Sequence, residues 1–229
     1  MKITTKEESK RVVNTFWKVY DVRLIPKCVG ICEKNNSKLI ALQKKKEKGE
    51  YLKLKNRIVI EQDGMRFVSK VSVLYGKHNF EDIATLCWMT YYDESANEDF
   101  TILMPSSRNN EGLMMFSDTF LSEFKDQVEE GCKIDKDDLI EAFFTLAGSD
   151  FKAGSDSSHP KIIQGKIGSL GAGIGRLIDE DSKICVFTRF IGYPLFQKMV
   201  ELSGDPEKDE NRIPLNAWMK YYNKTEEDV

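Results

Sequence analysis

Between residues 161 and 179 the large apolar side chains return at steps of four and three, at Ile163, Ile167, Leu170, Ile174 and Leu177. That spacing lies along one side of an α-helix and predicts a helix over 161–179. Gly168, Gly171, Ala172 and Gly175 make a second stripe almost free of side chains. Another backbone can approach such a stripe closely, so Gly168, Gly171 and Gly175 read as packing and assembly positions.

The same kind of pattern predicts elements elsewhere. Residues 5–21 read as an amphipathic helix. Thr5 and Glu8 open it as a capping box, each side chain satisfying a free backbone N–H of the other. Val12, Phe16 and Val19, with Val13, Trp17 and Tyr20 beside them, make its apolar face, and Pro26 is expected to end it. As a terminal arm it offers Phe16, Trp17 and Tyr20 to a second copy. Residues 38–75 predict an antiparallel meander. Leu39–Leu42 is a short apolar run, Leu52 and Leu54 alternate with Lys53 and Lys55, and Ile58 and Ile60 continue that face. Asp63-Gly64 before the run 65–75 is a hairpin signal, because both turn residues tolerate positive φ.

Asn79 opens an expected helix to Tyr92, apolar almost all round at Leu86, Cys87, Trp88 and Met89. A strand over 100–104 and a loop over 105–112 follow. Ser117 and Asp135 are expected to cap two helices that stop at Gly131 and Gly148. The segment 148–160, GSDFKAGSDSSHP, reads as a connection rich in turn formers. Residues 182–190 are strand or helix by pattern alone. Short helices are expected over 194–202 and 215–222. Together these elements predict an α+β protein, mainly helical, with a small antiparallel β-meander in the N-terminal third. The expected division is an N-terminal lobe, 1–150, and a C-terminal helical lobe, 151–229; the alternative is a single domain.

Composition narrows the class. In 229 residues, 41% are hydrophobic and 31% charged, and 13 Phe, 8 Tyr and 3 Trp are enough for a sizeable core. No uninterrupted apolar run of about 18 residues exists, so no membrane span is expected. The N-terminal stretch lacks the apolar core of a signal peptide. Five Cys without a framework pattern read as free thiols in a reducing compartment, so the expected location is cytoplasmic.

Charge adds a second kind of pattern. Residues 1–57 carry 16 Lys and Arg against 6 Asp and Glu, while residues 58–155 carry 8 against 19. Lys44, Lys45, Lys46 and Lys48 crowd a turn, and Lys53, Lys55 and Arg57 lie on the strand leaving it. Clustered cations of this kind bind phosphates by releasing counterions. Aromatic residues stand among basic ones at 16–20 and 218–224, a combination that suits single strands. The expectation is a non-enzymatic, self-assembling nucleic-acid-binding protein of nucleocapsid-like character, single-stranded RNA preferred over DNA. The alternative is a regulatory or scaffolding protein acting through protein–protein contacts between its oppositely charged segments.

Catalytic readings find little to build on. Gly171-Ala-Gly173-Ile-Gly175 lacks the preceding strand and the Gly-Lys-Ser/Thr of a phosphate loop. Cys28 and Cys32 supply two thiols where structural zinc needs four ligands. A nucleophile has only His78 and His159 as bases, and neither lies in a known signature. Glu61, Asp63 and Asp82 are scattered carboxylates of the kind any acidic chain contains. No enzyme activity, cofactor or metal is expected.

Overall fold

The computed structural model describes residues 5–27, 29–31, 33–34, 37, 52–75, 80–94, 96–103, 114–128, 134–147, 152–156, 159–167, 170–179 and 184–194. They fall into two compact units, one of Lys10–Tyr91 and one of Met1–Ser9 with Tyr92–Val229. The expectation of a mainly helical chain is overturned: the described residues hold nine strands against three α-helices and a π-helical segment.

The first unit pairs the helix α1 (Lys6–Val19), from Lys10 on, with three antiparallel strands, β1 (Leu52–Gln62), β2 (Met65–Tyr75) and β3 (Phe80–Asp93), the last as far as Tyr91. Thr5 Oγ1 accepts the Glu8 N–H at 3.2 Å, so the expected cap holds. Val12, Phe16 and Val19 are buried, and Phe16 stacks on Phe67 of β2 at 6.2 Å between ring centroids. Pro26 does not end the helix. A π-helical segment, Tyr20–Leu24, precedes it, and the Ile25 N–H reaches back five residues to the Tyr20 carbonyl. The extra residue in that turn keeps Leu24 on the buried side, five positions after Val19. Helical backbone continues at 25–27, 29–31 and 33–34.

The expected helix over 79–92 is the strand β3. Cys87, Trp88 and Met89 are all buried. Consecutive buried residues mean an enclosed element of either kind, and periodicity does not separate a strand with two covered faces from a helix.

The second unit is built on six strands in the order β4-β5-β9-β8-β7-β6. These are β4 (Glu98–Leu103), β5 (Met114–Ser117), β6 (Lys152–Asp156), β7 (His159–Ile167), β8 (Gly171–Asp179) and β9 (Ile184–Gly192). The β5–β9 pair is parallel and the β4–β5, β8–β9, β7–β8 and β6–β7 pairs are antiparallel, so the sheet is mixed. Helices α2 (Asp118–Val128) and α3 (Lys136–Ala147) lie against one face. Both expected caps are present, Ser117 Oγ accepting the Phe120 N–H at 3.2 Å and Asp135 Oδ1 the Asp138 N–H at 2.9 Å. Beneath the helices Phe116, Phe120, Phe124, Phe143, Phe187 and Phe190 pack with centroids about 5–6 Å apart, mostly edge to face.

The expected helix over 161–179 is the hairpin β7–β8, and the expected connection over 148–160 holds β6 and the start of β7. The four-and-three spacing arose because it was counted across a hairpin, in which Ile167 pairs with Gly171 and Ile163 with Gly175. Gly171, Gly173 and Gly175 stand at alternate positions of one strand. A Cβ at Gly173 would lie 2.8 Å from Phe120 Cε2, so bare backbone lets α2 settle on the sheet. Gly171 has φ +154°, and a Cβ there would land on the Ile191 carbonyl oxygen.

Of residues 182–190, 184–190 belong to β9, and 182–183 lie outside the described residues. Its pairing with β8 slips between Gly175–Phe187 and Ile174–Arg189, leaving Thr188 as an extra residue. The bulge brings Phe187 and Phe190, three apart, to the α2 side. That helix-like spacing inside a strand accounts for the ambiguity of the sequence pattern.

Candidate nucleic-acid interface

Asp63 and Gly64 have φ of 52° and 74°, the left-handed values that a two-residue hairpin turn requires. The turn sets Gln62 opposite Met65 and carries that register without a slip to Leu52 opposite Tyr75. Ile58, Ile60, Met65 and Phe67 are buried, on the side that meets Phe16 of α1. Arg23 of the π-helical segment donates to Gln62 Oε1 at 2.8 Å and ties the helix to the turn end of β1. The alternate residues of β1, Arg57, Val59 and Glu61, are exposed.

Register then decides which charges face each other. Glu61 lies opposite Arg66, and Arg57 lies opposite Lys70. Lys55 and Lys53 take the next alternate positions of β1, opposite Ser72 and Leu74. Like charges directly across a strand pair cost a few tenths of a kcal/mol, up to about 1 kcal/mol. The β1 side of this face is open, while Val68 and Trp88 farther across it are buried.

Of the expected nucleic-acid contacts, Arg57 is exposed on β1, Lys53 and Lys55 share its strand, and Lys44, Lys45, Lys46 and Lys48 lie outside the described residues. Lys70 and Arg66 were missed. The signal was present in the sequence, because a two-residue Asp63-Gly64 turn pairs position 57 with position 70. Among the expected assembly residues, Phe16 is buried in its own unit, and Trp17 and Tyr20 are half-buried in ring contact with it at 5.4 Å and 6.4 Å. Gly171 and Gly175 are buried in β8, and Gly168 lies outside the described residues.

Cys28, Cys32 and His78 lie outside the described residues, and His159 is the first residue of β7. Among the described residues no three His, Cys, Asp or Glu side chains are grouped to hold a metal ion. The Cys87 thiol donates to Ser69 Oγ at 2.9 Å inside the first unit. Burial pushes the Cys185 thiol up to about 11, which leaves little thiolate at neutral pH. No described helix is long and apolar enough to cross a membrane.

Several carboxylates of the second unit are engaged structurally. Glu98 Oε2 accepts the Thr119 N–H at 3.2 Å and the Thr119 hydroxyl at 2.9 Å, filling the start of α2. Lys136 bridges Asp99 at 2.6 Å and Asp118 at 2.8 Å. Lys6 pairs at 2.8 Å with Asp179, whose side chain is fully buried. The β5–β9 pairing ends at Phe116–Phe187, and farther along β9 the Glu123 carboxylate accepts the Phe190 N–H at 2.8 Å and pairs with Arg189 at 2.6 Å. Burial holds the Glu123 carboxyl above the ordinary glutamate value, against the opposing pull of the Phe190 N–H and Arg189.

No family model, curated protein or solved structure matches the chain.

Proposed function

We propose that the open face of the β1–β2 hairpin binds the phosphate backbone of a nucleic acid, in a non-enzymatic protein that associates with itself as nucleocapsid-type proteins do. The supporting observation is Arg57 held opposite Lys70, with Lys55 and Lys53 at the following alternate positions of β1. A phosphate lying between two such cations is held by both. The contact reads charge and carries no base code, so discrimination among sequences is weak. The acidic pI of about 5.6 restricts the attraction to the neighbourhood of the hairpin. Screening over about 10 Å at 0.1 M salt makes the local patch count more than the distant carboxylates. Single-stranded RNA is the preferred ligand in this reading, since a flexible backbone adapts to a narrow stripe of cations.

Fluorescence anisotropy with labelled single-stranded RNA, single-stranded DNA and duplex DNA tests the proposal. Affinity is expected to fall steeply between about 50 and about 200 mM salt, with each phosphate contact contributing about −0.7 to the logarithmic slope on a single strand. Arg57→Glu with Lys70→Glu is expected to weaken binding and flatten that slope. No binding at about 50 mM salt, or binding untouched by the double variant, would discard the proposal.

A further inference from the structure

The side of the N-terminal helix opposite its buried residues carries an apolar stripe. Val22, Ile25 and Val29 are 68%, 40% and 47% exposed, whereas Val12, Phe16, Val19 and Leu24 on the other side are buried. Lys18 and Glu33, both exposed, extend the spacing at either end. The order is Lys18, Val22, Ile25, Val29, Glu33, at steps of four, three, four and four. The stripe therefore begins with a cation, runs through three branched aliphatic residues and ends with an anion.

That order is self-complementary about one point. The pair Lys18 and Glu33 and the pair Val22 and Val29 are both centred between Ile25 and Pro26. A single two-fold axis at that point satisfies both pairs together. In a two-fold interface, contact of one residue with another implies the reciprocal contact, so each match is made twice. We propose that this stripe is the interface of an antiparallel homodimer. Val22 meets the partner's Val29, Ile25 packs beside the axis, and Lys18 pairs with the partner's Glu33. The charges also set direction. A parallel arrangement would put Lys18 on Lys18 and Glu33 on Glu33, and both contacts would repel. An anionic lipid surface fits less well, because the stripe ends in a carboxylate.

Three aliphatic side chains from each copy make a small contact. It belongs with weak, transient interfaces, below about 1,200 Å² in total. The inference deepens the self-association part of the function proposed above and rests on that reading only there. Its test uses protein without nucleic acid, so either idea can fail alone.

Sedimentation velocity over a wide concentration series is the measurement, with circular dichroism on each variant to confirm the fold. All the substituted positions are exposed. Wild-type protein is expected to pass from monomer to dimer, and Ile25→Asp to remain monomeric. Lys18→Glu and Glu33→Lys are each expected to raise the dissociation constant by about fivefold. Each breaks both symmetric copies of the pair, and an exposed pair in the middle of its usual range contributes about twofold. Combining the two reverses the pair and is expected to restore dimerisation. Wild-type protein that stays monomeric throughout would overturn the proposal. So would a double variant that associates no better than the single ones. Flotation of monomeric protein with anionic vesicles would assign the stripe to a membrane surface instead.

Discussion

Strand β1 alternates exposed and buried residues over 57–61, whereas β8 buries its first five in succession. The two therefore use the same extended backbone in different surroundings. β1 has α1 on one side and an open side on the other, so Arg57 lies away from the buried Ile58 and Ile60. Gly171–Gly175 of β8 is enclosed on both sides and has no position for an unpaired charge. In β1 sequence variation changes an exposed side, and in β8 it mainly changes whether the protein folds. The glycines sharpen the contrast: Gly64 supplies a backbone conformation in open space, while Gly173 and Gly175 supply room.

The largest effect expected of this contrast is at Gly175→Val. A Cβ there would strike the Val186 carbonyl oxygen, backbone that cannot yield without moving β9. The loss is expected on the order of 5 kcal/mol, read from urea unfolding or from failure to obtain folded protein. A comparable exposed site on β1, changed by Val59→Ala, is expected within about 0.5 kcal/mol of wild type. Equal effects at the two sites would erase the distinction. Phe120→Ala removes the ring that rests on Gly173 and opens a cavity among the phenylalanines, for an expected loss of about 3–4 kcal/mol in the same assay. Gly64→Ala meets nothing within 4 Å, and its cost comes from φ 74° alone, about 1 kcal/mol. A much larger loss would mean that the turn is packed and not merely bent.

The smallest effect concerns pH. The Glu123 carboxyl is raised mainly by burial, so the folded state holds its proton more tightly than the unfolded chain. That contribution to stability is fully present below the unfolded value and is lost as pH rises through the folded one. Glu123→Gln, compared with wild type by urea titrations from mildly acid to neutral pH, is expected to remove this downward slope. A slope of opposite sign in the wild type would show that Arg189 and the Phe190 N–H outweigh burial.

The same contrast explains what was legible in the sequence. The hairpin at Asp63-Gly64, the caps at Thr5, Ser117 and Asp135, and the strand near Phe100 each depend on a local rule. One turn or one hydrogen bond decides them, and neighbouring residues carry the signal. The errors fell where tertiary burial removes alternation. At 87–89 of β3 and 171–175 of β8 both faces are covered and polar residues no longer mark a period, while at β9 the Thr188 bulge inserts a step of three. The alternate glycines of β8 were the remaining strand signal, and they were outweighed by an apolar spacing that ran across a turn. The site was partly legible in a different way. Arg57 was found from composition, but Lys70 became part of the face only through register.

The Asp63-Gly64 turn makes the hairpin unusually intolerant of insertions. One residue added there would re-phase β2 against β1, since side chains alternate with a period of two. Lys70 would leave Arg57, or Phe67 would leave Phe16. Lineages of this protein are therefore expected to vary in the residues of the turn more readily than in their number. The length of a two-residue loop that carries no cation of its own governs which cations meet.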